Sequence, residues 1–336
     1  MTQRRLVATL LTAAVVAVAF VFVLPRVADL GDAWAIVRDL PADAVTGLAA
    51  LTVLNLLAYP LLSMASLPGL RPWPAFVVTQ ASTAVANTVP AGSGVGIGVT
   101  YAMYDGYGLP HAPIALSITV TGVANTAVRL GLPAAAAALL ALSGDAPRWA
   151  WDAARLGLVL ALLAAFGIVA AVHGRRFALA PVRAGARLVA RLRGRDPQAA
   201  ARVVTEWLAG LRHDADALRG GRGLAIGATA LLGHLAAYAL FVACLEATGN
   251  DLGVALSFAV FAVVRLGLTV PVTPGGVGVA EAGYAAALVA AGAAADPAVA
   301  AVLLFRAASY LVPIPVGLAC WLAFRRRRVT TLAAWS

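Results

Sequence analysis

Five ionisable side chains lie within long apolar stretches of the sequence. They are Arg129, His234, Arg265, Glu281 and Arg306. A charge at the centre of a bilayer costs about 2.5–3.5 kcal/mol on insertion scales, so a charge retained in such a stretch is a functional candidate. A planar guanidinium binds a phosphate through two parallel hydrogen bonds. The three arginines therefore predict a site for a phosphate-bearing anion. In the alternative interpretation, Glu281 pairs with Arg265 or Arg306 and the pair is purely structural.

Amide side chains in the same stretches form a second group of candidates. Asn87, Asn125 and Gln80 are expected to satisfy backbone groups freed by a broken helix or, in the alternative interpretation, to contact a lipid headgroup. His234 is interpreted as a packed, hydrogen-bonded histidine, because no second His or Cys lies at a metal-binding spacing. The sequence therefore predicts no metal, no cofactor and no catalytic residue.

The composition is that of a membrane protein. Hydrophobic residues make up 62% of the 336 residues and charged residues 12%, against about 45–50% and about 25% in soluble proteins. The mean hydropathy is +0.88. These values predict an all-α polytopic membrane protein and exclude an ordinary soluble enzyme.

Six stretches are apolar and long enough to cross a bilayer as helices, which requires about 20 residues. They cover residues 6–24, 44–67, 112–142, 150–172, 224–246 and 297–324. The first of these has no convincing cleavage site, so it is interpreted as a retained helix rather than a signal peptide.

Two further apolar regions, 74–104 and 253–292, are each interrupted by Pro and Gly, which break helices. The interrupting residues are Pro90, Gly92, Gly94, Gly96 and Gly98 in the first region, and Pro271, Pro274, Gly275, Gly276 and Gly278 in the second. Each region is predicted to form a helical hairpin, either two short re-entrant helices or two full spans. The glycines favour close helix packing, or free backbone amides that bind an anion, or both.

Arginine placement predicts the orientation. Eleven arginines lie between residues 173 and 223, and further arginines lie at both ends of the chain. The positive-inside rule puts these segments in the cytoplasm. The chain is thus divided into an N-terminal membrane half (1–172), a cytoplasmic amphipathic segment (173–223), a C-terminal membrane half (224–324) and a basic tail (325–336). With both termini inside, neither broken region makes a net crossing, and the connection 247–252 lies outside.

The two breaks resemble each other in sequence. Thr88-Val89-Pro90 matches Thr269-Val270-Pro271, and Gly96-Ile97-Gly98-Val99 matches Gly276-Val277-Gly278-Val279. By the crossing parity, the two hairpins enter from opposite sides. This arrangement predicts an inverted-topology repeat, in which broken segments meet near the midplane.

The segment from Thr269 to Glu281, followed by Leu304-Phe305-Arg306, resembles the pattern Pro-Gly-Gly-hydrophobic-Gly-x-x-Glu … Arg of the lysylphosphatidylglycerol synthase transmembrane-region family, also called flippase-like proteins. The element Asn87-Thr88-Val89-Pro90, with the following glycines and Arg129, is similar to the family's first-half motif. The resemblance implies a lipid-translocase fold in the bacterial cytoplasmic membrane.

The function that this resemblance implies is non-enzymatic translocation of an anionic phospholipid or a polyprenyl-phosphate-linked lipid. One alternative is a membrane glycosyl- or lipid-transferase, or its accessory subunit, with Glu281 as base. Another is a structural membrane partner without transport. The expected partners are anionic membrane lipids and possibly a glycosyltransferase or lipid synthase. Nucleic acid is not expected, because an apolar stripe in segment 173–223 suits a lipid surface better.

Overall fold

The computed structural model describes residues 30–89, 92–143, 221–268 and 273–333, with scattered positions between 144 and 220. Within these ranges all regular structure is helical, in agreement with the predicted fold class. The helices are α1 (Leu30–Arg38), α2 (Ala42–Ser66), α3 (Pro72–Thr88), α4 (Gly92–Gly106), α5 (His111–Ser143), α6 (Gly221–Ala247), α7 (Gly253–Gly267), α8 (Val279–Ala290), α9 (Ala295–Arg306) and α10 (Pro313–Ala333). The predicted span 6–24, most of span 150–172 and almost all of segment 173–223 lie outside the described residues.

Four helical segments are long and apolar enough to cross a membrane. They are α2, α5, α6 and the continuous run Ala295–Arg326, which joins α9 to α10. They match the predicted spans 44–67, 112–142, 224–246 and 297–324, and their ends differ from the predicted ends by only a few residues. Hydropathy located these helices because most of their side chains are apolar and therefore compatible with either lipid or an apolar core.

The first broken region is interrupted as predicted, between α3 and α4. Gly92 packs against the backbone of Ala86, and a Cβ placed on Gly96 would lie 3.0 Å from the carbonyl oxygen of Ser82. Gly92 meets Ala86, and the later residue Gly96 meets the earlier residue Ser82. Helices α3 and α4 therefore run antiparallel. Gly92 and Gly96 therefore act as small residues that let two backbones approach closely.

The second broken region is interrupted between α7 and α8. A short 3₁₀ turn, Pro274–Gly276, lies in the gap. Gly275, Gly276 and Gly278 have φ values of 56°, 71° and 83°. Only glycine adopts such left-handed backbone without strain, so these residues allow the chain to change direction here.

Each broken region packs against a long helix from the other half of the chain. Helix α3 lies along α10, α7 lies along α5, and α2 lies along α6. Gly317 of α10 contacts the backbone of Gln80 in α3. Between them, a core of aromatic rings joins α6, α7, α8 and α9, with ring centroids 5.1–5.8 Å apart for Phe241 with Phe261, Tyr284 and Phe305.

Gln80 has the structural role that the sequence suggested for it. Pro60 interrupts the hydrogen-bond ladder of α2, because it has no N–H to donate to the carbonyl of Leu56. The Gln80 Nε2 atom donates to that carbonyl oxygen at 2.7 Å. A side chain of α3 thereby replaces the missing backbone donor of α2 and fixes the two helices together.

Candidate functional site

An ion pair joins the second break to helix α9. Arg306 Nε donates to Glu281 Oε1 at 2.7 Å, and the Glu281 and Arg306 side chains are only 5% and 12% exposed. The other carboxylate oxygen, Oε2, accepts from the backbone N–H of Gly278 at 2.6 Å. Of the two partners that the sequence allowed for Glu281, Arg306 forms the ion pair, and Arg265 lies against Phe261 instead.

The same arginine also links the two breaks. Arg306 Nη2 donates to the Gly275 carbonyl at 3.0 Å, and its guanidinium lies 4.4 Å from the centre of the Tyr310 ring. Tyr310 in turn donates its hydroxyl to the Asn87 carbonyl at 2.9 Å. We call Asn87, Gly275, Glu281, Arg306 and Tyr310 the junction, because they connect the end of α3 with the turn before α8.

Asn87 closes the junction from the first half of the chain. Its Nδ2 atom donates to the Tyr310 carbonyl at 3.2 Å. That carbonyl belongs to a π-helical turn, Ala307–Leu311, between α9 and α10. Pro313 and Pro315 follow, and neither has an N–H to continue a regular ladder. Asn87 therefore satisfies a backbone group of a broken helix, which is one of the two roles that the sequence predicted for it.

A second polar group lies around Arg129 and Arg265. Their guanidinium groups are within electrostatic range of each other and of the hydroxyl groups of Tyr59 and Tyr284. His234 lies within range of both arginines. We call these five residues the arginine cluster. Helices α2, α5, α6, α7 and α8 each supply one of them.

The packing around the cluster fixes its members. The Arg265 guanidinium lies 4.9 Å from the centre of the Phe261 ring. The Tyr59 ring lies against Gly233, where an added Cβ would be 3.5 Å from the ring. Tyr284 packs on Phe241, within the aromatic core. These rings pack around the cluster and restrict the side chains that face it, of which His234 and Tyr284 are each 1% exposed.

Several polar atoms of the cluster have no hydrogen-bond partner among the described residues. They are Arg129 Nε, both ring nitrogens of His234, and the Tyr284 hydroxyl, which lies beside Arg265 without meeting hydrogen-bond geometry. The backbone of Asn125 approaches the His234 ring, but it does not meet hydrogen-bond geometry. In the described ranges, no carboxylate forms an ion pair with Arg129 or Arg265. Buried polar groups without partners are rare and need an explanation such as a ligand or water.

The structure divides the three predicted arginines. Arg129 and Arg265 share the arginine cluster, whereas Arg306 belongs to the junction. Tyr284 connects the two groups, because its hydroxyl is within electrostatic range of both Arg265 and Arg306. The arginines therefore surround one region of the interior, but only Arg306 has an acidic partner among the described residues.

The break residues have separate roles. Gly92 and Gly96 pack on α3, while nothing lies within 4 Å of the added Cβ positions of Gly94 and Gly98. Gly275 and Gly278 contact junction side chains, and the Gly276 N–H donates to the Thr273 carbonyl at 3.1 Å. Pro90 and Pro271 lie outside the described residues, and the backbone of Pro274 opens the 3₁₀ turn.

Three tyrosines of these groups were missing from the sequence-based candidates: Tyr59, Tyr284 and Tyr310. Tyr284 lies 180 residues after Tyr104, the same offset that relates Gly96 to Gly276 in the repeat, and this match is a weak signal. A tyrosine in an apolar stretch is otherwise indistinguishable from a core aromatic until its neighbours are known. Of the metal-binding residue types, the described part of the chain brings no three together.

An apolar groove of about 650 Å³ runs over α2, the start of α3 and α6. It is lined by apolar side chains, such as Leu57, Trp73 and Leu232, and has no charged residue in its wall. Of the described residues, those of the junction and the arginine cluster therefore supply the polar groups of the candidate site, and this groove supplies none.

These features define a multi-pass helical membrane protein whose interior contains cationic side chains. The chain belongs to the family described as lysylphosphatidylglycerol synthase TM region, which it matches over residues 9–317. The family that the motifs resembled is thereby confirmed. A comparison with the curated proteins found no match. The family and the apolar helices together indicate a membrane protein related to lipid handling.

Proposed function

We propose that this protein is a non-enzymatic translocase that moves an anionic lipid, a phospholipid or a polyprenyl-phosphate-linked lipid, across the bacterial cytoplasmic membrane. One observation carries the proposal. Arg129 and Arg265 lie close together in an apolar interior, and no described carboxylate pairs with either. Both side chains are half-buried between apolar helices, where a cation without a partner is unfavourable and a second cation beside it adds repulsion. An external anion would compensate both charges. A lipid phosphate supplies that charge with the geometry that guanidinium groups favour.

The lengths of the broken helices support a site within the membrane. Helices α3, α4, α7 and α8 contain 17, 15, 15 and 12 residues. At 1.5 Å per residue they are about 18–26 Å long, which is less than the hydrocarbon core of about 30 Å. We propose that each pair is re-entrant, so that the breaks lie at depth, where irregular backbone lines a polar cavity.

The packing of the two halves supports an inverted repeat. The first broken region packs on the long helix of the second half, and the second broken region packs on the long helix of the first half. The preceding spans, α2 and α6, pack on each other. This reciprocal exchange is expected for two repeats related by a pseudo-two-fold axis, with the substrate site at their interface.

The contacts of Glu281 argue against the transferase alternative. A general base needs a free carboxylate oxygen within reach of the proton that it abstracts. Both oxygens of Glu281 already accept hydrogen bonds, one from Arg306 and one from Gly278. We therefore assign Glu281 and Arg306 to positioning of the second break.

The test is lipid movement in vesicles. The purified protein is reconstituted into phosphatidylcholine vesicles that contain tail-labelled fluorescent phosphatidylglycerol, and movement between leaflets is followed by quenching from outside. We expect Arg129→Gln and Arg265→Gln to reduce the rate to that of protein-free vesicles. Arg129→Lys and Arg265→Lys should restore it only partly, because an ammonium cannot form the two parallel hydrogen bonds.

Arg71→Gln is the matched control. Arg71 is exposed at the start of α3 and forms no capping hydrogen bond with its side chain. It should keep the wild-type rate. Thermal unfolding in detergent checks that each variant is folded. Wild-type rates in folded Arg129→Gln and Arg265→Gln proteins would remove the basis for the proposal and favour a structural role.

A further inference from the structure

The charges of the arginine cluster are of one sign. Two guanidinium groups provide positive charge, and the remaining members, His234, Tyr59 and Tyr284, contribute hydrogen-bonding groups and no negative charge. Protonation of the His234 imidazole would only add positive charge, so the cluster is cationic in either state of that ring. Of the described residues, none contributes a negative charge to this cluster.

The carboxylate that lies one helical turn away does not change this balance. Glu281 precedes Tyr284 by three residues on α8, so the two lie on the same face of the helix. Its two oxygens are taken by Arg306 and by the Gly278 N–H, at 2.7 and 2.6 Å. An ammonium group that entered the cluster would therefore meet two cations and find no free carboxylate.

From this balance we infer that the arginine cluster selects a net-anionic headgroup that carries a phosphate and hydroxyl groups, and rejects a headgroup that carries amines. The inference rests on the proposed function and specifies its substrate class. Like charges brought together without a counter-charge are a strong source of discrimination between ligands.

The unpartnered atoms of the cluster fit the neutral part of such a headgroup. The His234 ring is 1% exposed, and neither nitrogen has a partner among the described residues. A neutral imidazole has one donor and one acceptor, and a phenol has one of each. A glycerol or sugar hydroxyl also both donates and accepts, so it can satisfy these groups while Arg129 and Arg265 hold the phosphate.

The experiment compares two labelled lipids in the same vesicles. One is phosphatidylglycerol, with one negative charge and two hydroxyl groups. The other is its lysyl ester, in which lysine esterifies one of those hydroxyl groups and adds two ammonium groups, while the acyl chains are unchanged. We expect phosphatidylglycerol to move at least about tenfold faster, the ratio that corresponds to 1.4 kcal/mol.

The outcomes separate this inference from the proposed function. Equal rates, or a faster lysyl ester, would overturn the inference and leave the translocase proposal in place. Movement of neither lipid above the protein-free rate would overturn both.

A charge variant tests the cause of the preference. Asn125 is half-buried, precedes Arg129 by one turn on α5 and approaches His234. Asn125→Asp adds a carboxylate of nearly the same shape. It should lower the ratio of the phosphatidylglycerol rate to the lysyl-ester rate severalfold. Asn125→Leu, which adds no charge, should keep the ratio of the two rates even where both rates fall. An unchanged ratio in a folded Asn125→Asp protein would contradict the electrostatic cause, and the wild-type comparison remains decisive if this variant does not fold.

Discussion

Glu281 and Arg306 each hold a backbone group as well as the opposite charge. The carboxylate accepts the Gly278 N–H, and the guanidinium donates to the Gly275 carbonyl. The pair therefore fixes the turn between α7 and α8 onto α9. Because the pair is largely removed from water, loss of one member leaves a charge that water does not solvate.

We predict strong coupling between these two residues. Glu281→Gln and Arg306→Gln should each lower the free energy of unfolding by about 3–5 kcal/mol, because each leaves one buried charge unpaired. The double variant should cost less than the sum of the two single variants. Unfolding of all four proteins in detergent gives the coupling energy.

An exposed pair on the same chain provides the control for this cycle. Asp152 and Arg155 lie 3.7 Å apart with side chains that are 74% and 73% exposed. The corresponding cycle with Asp152→Asn and Arg155→Gln should give a coupling of about 0–1 kcal/mol. Strictly additive losses at Glu281 and Arg306 would mean that the observed contact contributes nothing to stability.

The sequence identified the charged residues of the interior but did not decide which of them form a pair. Residue types in apolar stretches were enough to select Arg129, Arg265, Glu281 and Arg306, because burial of a charge is costly wherever it occurs. The choice between Arg265 and Arg306 as partner of Glu281 depended on helix packing. In the structure Arg265 lies against Phe261, and only Arg306 reaches the carboxylate.

At the scale of elements, the turn before α8 depends on Gly275 in two ways. Its φ of 56° is left-handed, and a Cβ at this position would overlap the Tyr310 ring and lie 3.3 Å from the Asn87 Oδ1 atom. Gly275 is thus required both by the turn and by the close approach of the two breaks.

We predict that Gly275→Ala opens the junction. The added methyl group must displace Tyr310, which breaks the paired hydrogen bonds between Tyr310 and Asn87. Phosphatidylglycerol movement should be lost, and the thermal midpoint in detergent should fall.

Gly69→Ala separates the overlap from backbone strain. Gly69 also has a positive φ, 82°, but nothing lies within 4 Å of its Cβ position. The free energy of unfolding of this variant should fall only by the cost of a left-handed backbone, about 1–2 kcal/mol. Its transport activity should be unchanged. Equal effects of Gly275→Ala and Gly69→Ala would show that the contact with Tyr310 has no role.

Elements differ in how far the sequence alone predicts them. The breaks before Gly92 and Gly275 were predictable, because Pro and Gly disfavour helix within their own neighbourhood. The π-helical turn at Ala307–Leu311 was not, since it is stabilised by Asn87, which lies more than two hundred residues earlier in the chain. Local propensity carries no information about such a partner.

At the scale of the whole molecule, the two halves are joined by exchanged packing rather than by a single interface. Helix α3 lies on α10 and α7 lies on α5. Hydropathy predicts which segments cross the membrane, but it does not predict which apolar faces meet, because any apolar face is compatible with lipid. The small residues at the contact, such as Gly317 against Gln80, become informative only once the packing is known.

Topology is the prediction that belongs to this scale. Helix α6 contains 27 residues, about 40 Å at 1.5 Å per residue, so it is long enough to place its two ends on opposite sides of the bilayer. The arginine distribution predicts that the Gly221 end is cytoplasmic and that the following connection is outside. Neither broken region should change the side on which the chain continues.

Single-cysteine labelling in intact cells checks this arrangement. In a background where the buried residues Cys244 and Cys320 are replaced by Ala, a membrane-impermeant maleimide should label Asp251→Cys from outside and should label Gly221→Cys only after the membrane is opened. Gly69→Cys and Gly108→Cys flank the first broken region and should both be cytoplasmic, because two antiparallel helices return the chain to the side from which it entered. Labelling of Gly69→Cys and Gly108→Cys from opposite sides would show that the first broken region makes a net crossing. The two breaks would then no longer enter from opposite sides, and the inverted repeat that places the junction at mid-depth would have to be abandoned.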